Sequence, residues 1–245
     1  MENNGIWEYK FKVRSFDVDQ NNFITTTSIS EYLQEVAGDH SNNMGFGYRQ
    51  FVLKNMAWIL SGIRIEIERL PKWEEEVLIK SWVVENDKFI SRRDFSWYDK
   101  DGNTLLSAST KWILFDTNIR RPQIVDRMGI TVEMHPDKKA TNEVANIRNK
   151  IIEGSIVDYT VQYSDLDMVG HMNNTKYIQL LLNSYSPEFH KTNRLKTIDI
   201  NFKTEAQFND KLHLHTNIIE NKKYYHELKR ATDNKINCSS IILWE

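Results

Sequence analysis

The sequence predicts an α+β fold in which one unit, a helix with an antiparallel sheet, occurs twice. In both halves of the 245-residue chain a strand, an aspartate-containing turn and a helix precede about four strands. The segment Ser15–Asp19 (SFDVD) resembles Tyr163–Asp167 (YSDLD) at an offset of 148 residues. Within the strands, Ile63, Ile65 and Ile67 alternate with charged residues, a period of two that is typical of a half-buried antiparallel strand.

The first half begins with a strand pattern from Tyr9 to Arg14. A helix is predicted from about Ser28, with Ser28 as its N-terminal cap, because apolar residues then recur with helical spacing. Charged and glycine-containing turns separate the strands that follow. These strands are predicted at Ala57–Arg69, Glu75–Glu85, Phe89–Tyr98 and Thr104–Asp116.

The second half has the same order. Its first strand is predicted at Ser155–Tyr163, and its helix starts near Asn173 or Asn174, since asparagine is a good cap, and ends near Ser184. The later strands are predicted at Leu195–Lys203, Lys211–Glu220, Tyr224–Ala231 and Ile236–Trp244.

A helix wrapped by a curved antiparallel sheet is the hot-dog arrangement. The chain is therefore predicted to be a tandem (double) hot-dog with two long helices, each wrapped by such a sheet. The expected divisions are an N-terminal hot-dog over 1–125, a polar crossover linker over 126–153 and a C-terminal hot-dog over 154–245.

Composition limits the function classes. The net charge of −2 provides no general attraction to nucleic acid or to an anionic membrane. The chain has one cysteine, Cys238, so an internal disulfide is excluded. The N-terminal residues do not resemble a signal peptide, and no apolar run approaches the roughly 20 residues that span a bilayer. We expect a cytoplasmic protein with no membrane insertion and no nucleic-acid partner.

The segment Tyr163–Tyr177 (YSDLDMVGHMNNTKY) is the densest cluster of chemically useful side chains. Asp167 and His171 fall in a turn between a strand and the N-terminus of a helix. Exposed N–H groups at a helix start bind carbonyl oxygens and developing oxyanions. This combination of acid, imidazole and N–H donors indicates acyl-transfer chemistry.

The two halves differ at these positions. His171 aligns with Phe23, and Glu205 aligns with Leu70 at an offset of 135 residues taken from the following strand. The first half keeps an aspartate, Asp19, but not the other groups. The difference predicts that the first half supplies an apolar pocket for an acyl chain and that the second half supplies the reactive groups.

The run from Ser164 to Tyr177 resembles the second-repeat signature of acyl-ACP thioesterases, SDLDxNxHVNNxxY. Arg69–Trp73 (RLPKW) and Ala108–Trp112 (ASTKW) look like the N-terminal half of that family. The resemblance implies a double hot-dog fold and hydrolysis of the thioester that joins a fatty acyl chain to acyl carrier protein. The chain looks like a member of the bacterial branch of that family, because plant members carry a plastid leader and none is recognisable in this sequence.

The resemblance assigns catalytic roles to Asp167, His171 and Glu205. Glu205 is the expected general base that activates water with help from His171, while N–H groups at the helix start hold the oxyanion. Val169 stands where the family has an asparagine. Ala206 stands where many plant members have a cysteine, which excludes a cysteine nucleophile at this site.

Each assignment has a plain structural alternative. His171 and Asp167 also suit a capping or turn role, and Glu205 suits a solvated strand end. Asn173 and Asn174 are candidate substrate contacts that also suit helix capping. Trp58 and Met44 are candidate lining residues of an acyl tunnel, and ordinary core packing explains them equally well.

We expect the partner to be acyl carrier protein bearing a fatty acyl chain, and no metal or other cofactor. Four pairs of basic residues are candidates for docking this acidic partner, namely Arg92 with Arg93, Arg120 with Arg121, Lys138 with Lys139 and Lys222 with Lys223. His213 and His215 alternate on one strand, but no third metal ligand is evident. An acyl-CoA thioesterase and a non-catalytic acyl-binding module are the alternative functions, and the sequence allows either a monomer or a homodimer.

Overall fold

The computed structural model describes residues 5–148 and 154–245. The chain divides into two compact units, 1–144 (unit 1) and 145–245 (unit 2). Residues 149–153 of the predicted linker lie outside the described residues. Among the described residues, no helix combines the length and the apolar character that a membrane span requires.

Unit 1 contains a long helix and an antiparallel sheet with the strand order β1-β3-β4-β5-β2, to which the short β6 adds beside β5. The four strands predicted after the helix agree with the structure to within two residues at each end. The elements are β1 (Ile6–Lys12), α1 (Thr26–Asn43), α2 (Tyr48–Phe51), β2 (Met56–Ile67), β3 (Glu76–Asp87), β4 (Ile90–Tyr98), β5 (Thr104–Asp116) and β6 (Arg121–Pro122).

The predicted start of α1 at Ser28 is wrong. The helix begins at Thr26, and Thr25 is its cap, with Thr25 Oγ1 accepting a hydrogen bond from the Ser28 N–H at 3.1 Å. The Thr25 N–H donates to the Asp17 carbonyl at 2.9 Å, which holds Thr25 in an extended conformation, so the helix starts directly after it. Ser28 lies inside the first turn and is buried.

The core of unit 1 lies between α1 and the sheet. Ile29, Leu33 and Val36 of α1 are fully buried. Tyr32 stacks on Phe11 of β1 with ring centroids 4.0 Å apart and meets Trp97 of β4 edge-on at 5.9 Å. The amphipathic face of the helix is therefore covered by the strands, as the hot-dog prediction requires.

A buried ion pair on β4 holds part of the predicted linker against unit 1. Arg92 donates to the Asp94 carboxylate at 2.9 and 3.0 Å and to the Thr141 carbonyl at 2.9 Å. The N–H of Ala140 also donates to Asp94, at 2.8 Å. Arg92 and its neighbour Arg93 are 2% and 4% exposed, so the prediction that this basic pair is a docking surface is wrong.

Unit 2 has the strand order β8-β11-β10-β9-β7. Its helix α3 starts where predicted but has 9 residues against 18 in α1, so only one of the two predicted long helices is long. A short helix, α4, was not predicted, although Ser186 and Pro187 are a cap and a first-turn residue. The elements are β7 (Ser155–Thr160), α3 (Asn174–Leu182), α4 (Pro187–Thr192), β8 (Leu195–Phe202), β9 (Lys211–Glu220), β10 (Lys223–Arg230) and β11 (Ile236–Trp244).

The Arg92→Leu substitution should lower the free energy of unfolding by about 3–5 kcal/mol, because it leaves the buried Asp94 carboxylate without its cation. The matched control is Lys80→Leu, which removes the exposed Lys80–Glu8 pair (N–O distance 2.7 Å). The control should change the same quantity by less than about 1 kcal/mol. Chemical denaturation measures both, and equal effects would contradict the assignment.

Candidate functional site

The turn between β7 and α3 is closed by Asp167. Its Oδ1 accepts the backbone N–H of Val169 at 2.9 Å and that of His171 at 3.1 Å. The Asp167 N–H donates to the His171 carbonyl at 2.8 Å. Gly170 has a φ of 83°, in the left-handed region that favours glycine. The backbone of His171 is thereby held from both sides.

A second set of backbone contacts brings Glu205 to this turn. The Met172 N–H donates to the Ala206 carbonyl at 2.8 Å, and His171 forms an isolated β-bridge with Gln207. The His171 Nε2 and Glu205 Oε2 atoms lie 3.3 Å apart. Their side chains are 24% and 45% exposed, so water reaches the pair. The structure thus brings together an imidazole and a carboxylate that are 34 residues apart in the sequence.

The start of α3 provides the N–H donors. Asn173 is the cap, and its Oδ1 accepts from the Thr175 N–H and the Thr175 Oγ1, both at 3.0 Å. The Lys176 N–H donates to the Asn173 carbonyl at 2.9 Å. Within the described chain the N–H of Asn174 has no bonded partner, so it is open to an incoming oxygen. The amide oxygen of Asn173 thus caps the helix, and the contact of Asn173 with substrate stays a prediction.

Unit 1 contains the same turn without a histidine. Asp19 Oδ1 accepts from the N–H of Asn21 at 2.8 Å and from that of Phe23 at 3.1 Å. These are the contacts that Asp167 makes, and Phe23 occupies the position of His171. The turn therefore forms whether or not an imidazole is present. The contacts of Asp167 indicate that it positions His171 through the backbone, while its predicted catalytic role stays a prediction.

Val169 lies at the exposed tip of the turn, 63% exposed. The equivalent residue in unit 1 is Asn21, whose Nδ2 lies 3.4 Å from Asp19 Oδ2. The asparagine of the family signature is thus present in the half that lacks the histidine. Both residue types fit the same turn, since the backbone contacts are the same.

Trp58 and Met44, the predicted lining of an acyl tunnel, lie in an apolar cluster of unit 1. Both are partly buried and pack against a core that includes Phe46 and Phe51. The Trp58 Nε1 donates to the Phe46 carbonyl at 3.0 Å, and the Phe51 ring stacks on Trp58 with centroids 6.0 Å apart. These contacts are those of core packing, so a role in holding an acyl chain stays a prediction.

Two residues beside Glu205 escaped the sequence reasoning. Tyr177 lies among the buried residues of α3, yet its Oη accepts the Ala206 N–H at 3.1 Å. Asn237 of β11 donates through Nδ2 to the carbonyls of Thr204 and Glu205 at 3.1 and 3.2 Å. The internal repeat could have identified Tyr177 and Asn237, because the equivalent positions in unit 1 hold apolar residues.

The described residues contain no group of three or more histidine, cysteine, aspartate or glutamate side chains arranged to hold a metal ion. Of the two strand histidines, His213 bonds through Nδ1 to Asp158 Oδ1 at 2.7 Å. Burial lowers the pKa of the other, His215.

Family models identify the two halves of the chain. Residues 5–129 match the acyl-ACP thioesterase N-terminal domain, and residues 148–245 match the acyl-ACP thioesterase C-terminal domain. The chain belongs to the acyl-ACP thioesterase family. The resemblance seen in the motif around His171 is therefore confirmed.

Relatives and solved structures agree with this membership. The chain is 30% identical over 230 residues to the chloroplastic oleoyl-acyl carrier protein thioesterase 2 of Arabidopsis thaliana, covering 86% of this chain and 62% of the relative. It is 27% identical over 221 residues to a chloroplastic palmitoyl-acyl carrier protein thioesterase of Cuphea hookeriana, covering 82% and 52%. The chain thus spans between about half and three fifths of the length of these relatives.

An acyl-ACP thioesterase structure from Bacteroides thetaiotaomicron matches with a TM-score of 0.88 at 26% identity, over 100% of both chains. The 12:0-ACP thioesterase from Umbellularia californica matches in fold alone, with a TM-score of 0.82 at 18% identity over 98% of this chain and 97% of that one. The predicted double hot-dog fold is confirmed.

The Asp167→Ala substitution should lower the free energy of unfolding by about 1–2 kcal/mol, because two backbone N–H groups lose their acceptor. Asp19→Ala is the matched variant in unit 1 and should cost the same to within about 0.5 kcal/mol, since its two hydrogen bonds are equivalent. Denaturant titration measures both values. A stability loss confined to Asp19→Ala would contradict the role assigned to Asp167.

For the thioester hydrolysis that the family resemblance implies, the Val169→Asn substitution should raise kcat/KM about fivefold, because the new amide adds one hydrogen-bond donor beside Asp167. The reciprocal change in unit 1, Asn21→Val, should leave kcat/KM unchanged. Steady-state kinetics on both variants tests this, and a fall in kcat/KM with Val169→Asn would exclude the favourable contact.

Proposed function

We propose that the protein hydrolyses the thioester between a fatty acyl chain and acyl carrier protein, releasing the free fatty acid and the carrier protein with its free thiol. The observation that carries the proposal is the 3.3 Å approach of His171 Nε2 and Glu205 Oε2, with His171 three residues before the start of α3. An acid–imidazole pair accessible to water, on the turn that leads into a helix N-terminus, suits hydrolysis of an activated acyl group. The names of the relatives support the acyl-carrier-protein substrate.

In the mechanism, Glu205 takes a proton from a water molecule while that water attacks the thioester carbonyl carbon. The carbonyl oxygen becomes an oxyanion and accepts a hydrogen bond from the Asn174 N–H at the positive end of α3. The tetrahedral intermediate then breaks its carbon–sulfur bond. Glu205 returns its proton through His171 to the departing thiolate, which leaves as the thiol. The fatty acid forms as the carboxylic acid and then loses its proton to water.

We propose unit 1 as the half that receives the acyl chain. Support comes from the apolar residues at its two equivalent positions, Phe23 and Leu70, and from the half-buried Met44 and Trp58 beside a continuous apolar cluster. Under this proposal, residues 1–125 bind the acyl chain and residues 154–245 carry the reactive groups. The cytoplasmic location and the oligomeric state stay predictions.

Release of thiol from purified protein and acyl-acyl carrier protein tests the activity. His171→Ala and Glu205→Gln should each lower kcat by about 100-fold or more, because each removes a proton-transfer group. The series runs over several acyl lengths and includes the corresponding acyl-CoA substrates.

The control is His213→Ala, a histidine of unit 2 that is bonded to Asp158 on the outer strands. It should retain wild-type turnover. Faster release from acyl-CoA than from the carrier-protein substrate would identify an acyl-CoA thioesterase instead. Tight binding of acyl carrier protein without thiol release would identify a binding module and refute the hydrolase proposal.

A further inference from the structure

Glu205, the general base of the proposed mechanism, lies on a segment that polar side chains of unit 2 hold in place. In unit 1, apolar residues occupy the positions of these side chains. The two units form the same backbone hydrogen bond at this segment. The Ile24 N–H donates to the Pro71 carbonyl at 2.9 Å, as the Met172 N–H donates to the Ala206 carbonyl at 2.8 Å. Leu70 therefore occupies the position of Glu205.

The first brace comes from the helix. Thr25 and Asn173 are the equivalent caps, so Ile29 and Tyr177 occupy the same place four residues further on, and both are buried. The Tyr177 Oη accepts the N–H of Ala206 at 3.1 Å, directly after Glu205. In unit 1 the residue after Leu70 is a proline, which has no N–H and needs no acceptor.

The second brace comes from the last strand. The Asn237 carbonyl accepts the N–H groups of Lys203 and Thr204 at 2.8 and 3.3 Å, as the Leu105 carbonyl accepts those of Glu68 and Arg69 at 3.0 and 2.9 Å. Only in unit 2 does the side chain at this position add hydrogen bonds. Asn237 Nδ2 donates to the Glu205 carbonyl at 3.2 Å, and the residue is 1% exposed.

We infer that Tyr177 and Asn237 are positioning residues that hold the backbone on both sides of Glu205, and so keep its carboxylate within reach of His171. The Glu205 side chain is 45% exposed. The backbone on which it stands sets where its carboxylate can reach, and misplacement of a catalytic group by about 1 Å costs on the order of 100-fold in rate. This inference rests on the proposed hydrolysis.

The decisive variant is Tyr177→Phe, which removes only the hydroxyl and keeps the ring in its edge-on contact with Phe202, 5.8 Å between centroids. We expect kcat to fall about tenfold with KM unchanged, and the Ala206 amide to exchange its hydrogen faster. Asn237→Leu installs the residue type of unit 1 and should lower kcat similarly. If Asn237→Leu does not fold, Tyr177→Phe decides alone.

The matched control is Tyr225→Phe, which removes another buried tyrosine hydroxyl of unit 2, one that donates to Glu227 at 2.6 Å. Its kcat should equal that of the wild type when all variants are assayed well below their unfolding temperatures. A general loss of stability would lower both tyrosine variants alike, and that result would overturn the inference.

A rescue variant separates backbone positioning from a direct action of the hydroxyl. The double variant Tyr177→Phe with Ala206→Pro copies the arrangement of unit 1, where proline removes the need for an acceptor. Recovery of kcat supports positioning through the backbone, whereas a kcat that stays low overturns it. Absence of thiol release by the wild-type protein would refute the proposed function instead, and faster exchange at Ala206 in Tyr177→Phe would still be measurable in that case.

Discussion

The structure depends on a turn that an aspartate closes between the first strand and the helix of each unit. The side chains of Asp19 and Asp167 accept backbone N–H groups two and four residues later, and the distances agree to within 0.1 Å. Because these hydrogen bonds use backbone donors, they fix where the fourth residue lies and leave its side chain free to change. A phenylalanine and a histidine occupy that place in the two units.

The residues of the proposed site in unit 2 therefore stand on a turn that unit 1 also forms, without the histidine. The change extends beyond the reacting pair, since the buried positions around Glu205 are polar in unit 2 and apolar in unit 1. A buried polar group without a partner costs free energy. The Tyr177 Oη finds a partner in the N–H of Ala206, and Asn237 Nδ2 finds partners in the carbonyls of Thr204 and Glu205. The polar surroundings of the carboxylate are consistent with a site that needs a fixed geometry.

Two other histidines, His40 and His226, are fully buried, unlike His171. His40 contacts Arg93 at 2.6 Å, and His226 contacts Tyr185 at 2.7 Å. Burial lowers the pKa of each to about 3, so both imidazoles are neutral at physiological pH and take no proton there. They serve as buried hydrogen-bonding groups, His40 on α1 and His226 on β10. His171 is partly exposed beside Glu205, so water can reach its ring.

The sequence by itself determined the repeated order of strand, turn, helix and strands, because alternation and capping are local signals that survive in one chain. It also determined which half carries His171 and Glu205. It misplaced the start of α1, since the choice between Thr25 and Ser28 depends on a hydrogen bond to Asp17, eight residues from Thr25. Only the tertiary structure decided that Arg92 is buried and that Tyr177 and Asn237 meet at Glu205. The contacts of Tyr177 with Ala206 and of Asn237 with Glu205 join residues 29 and 32 positions apart, and no local pattern encodes them.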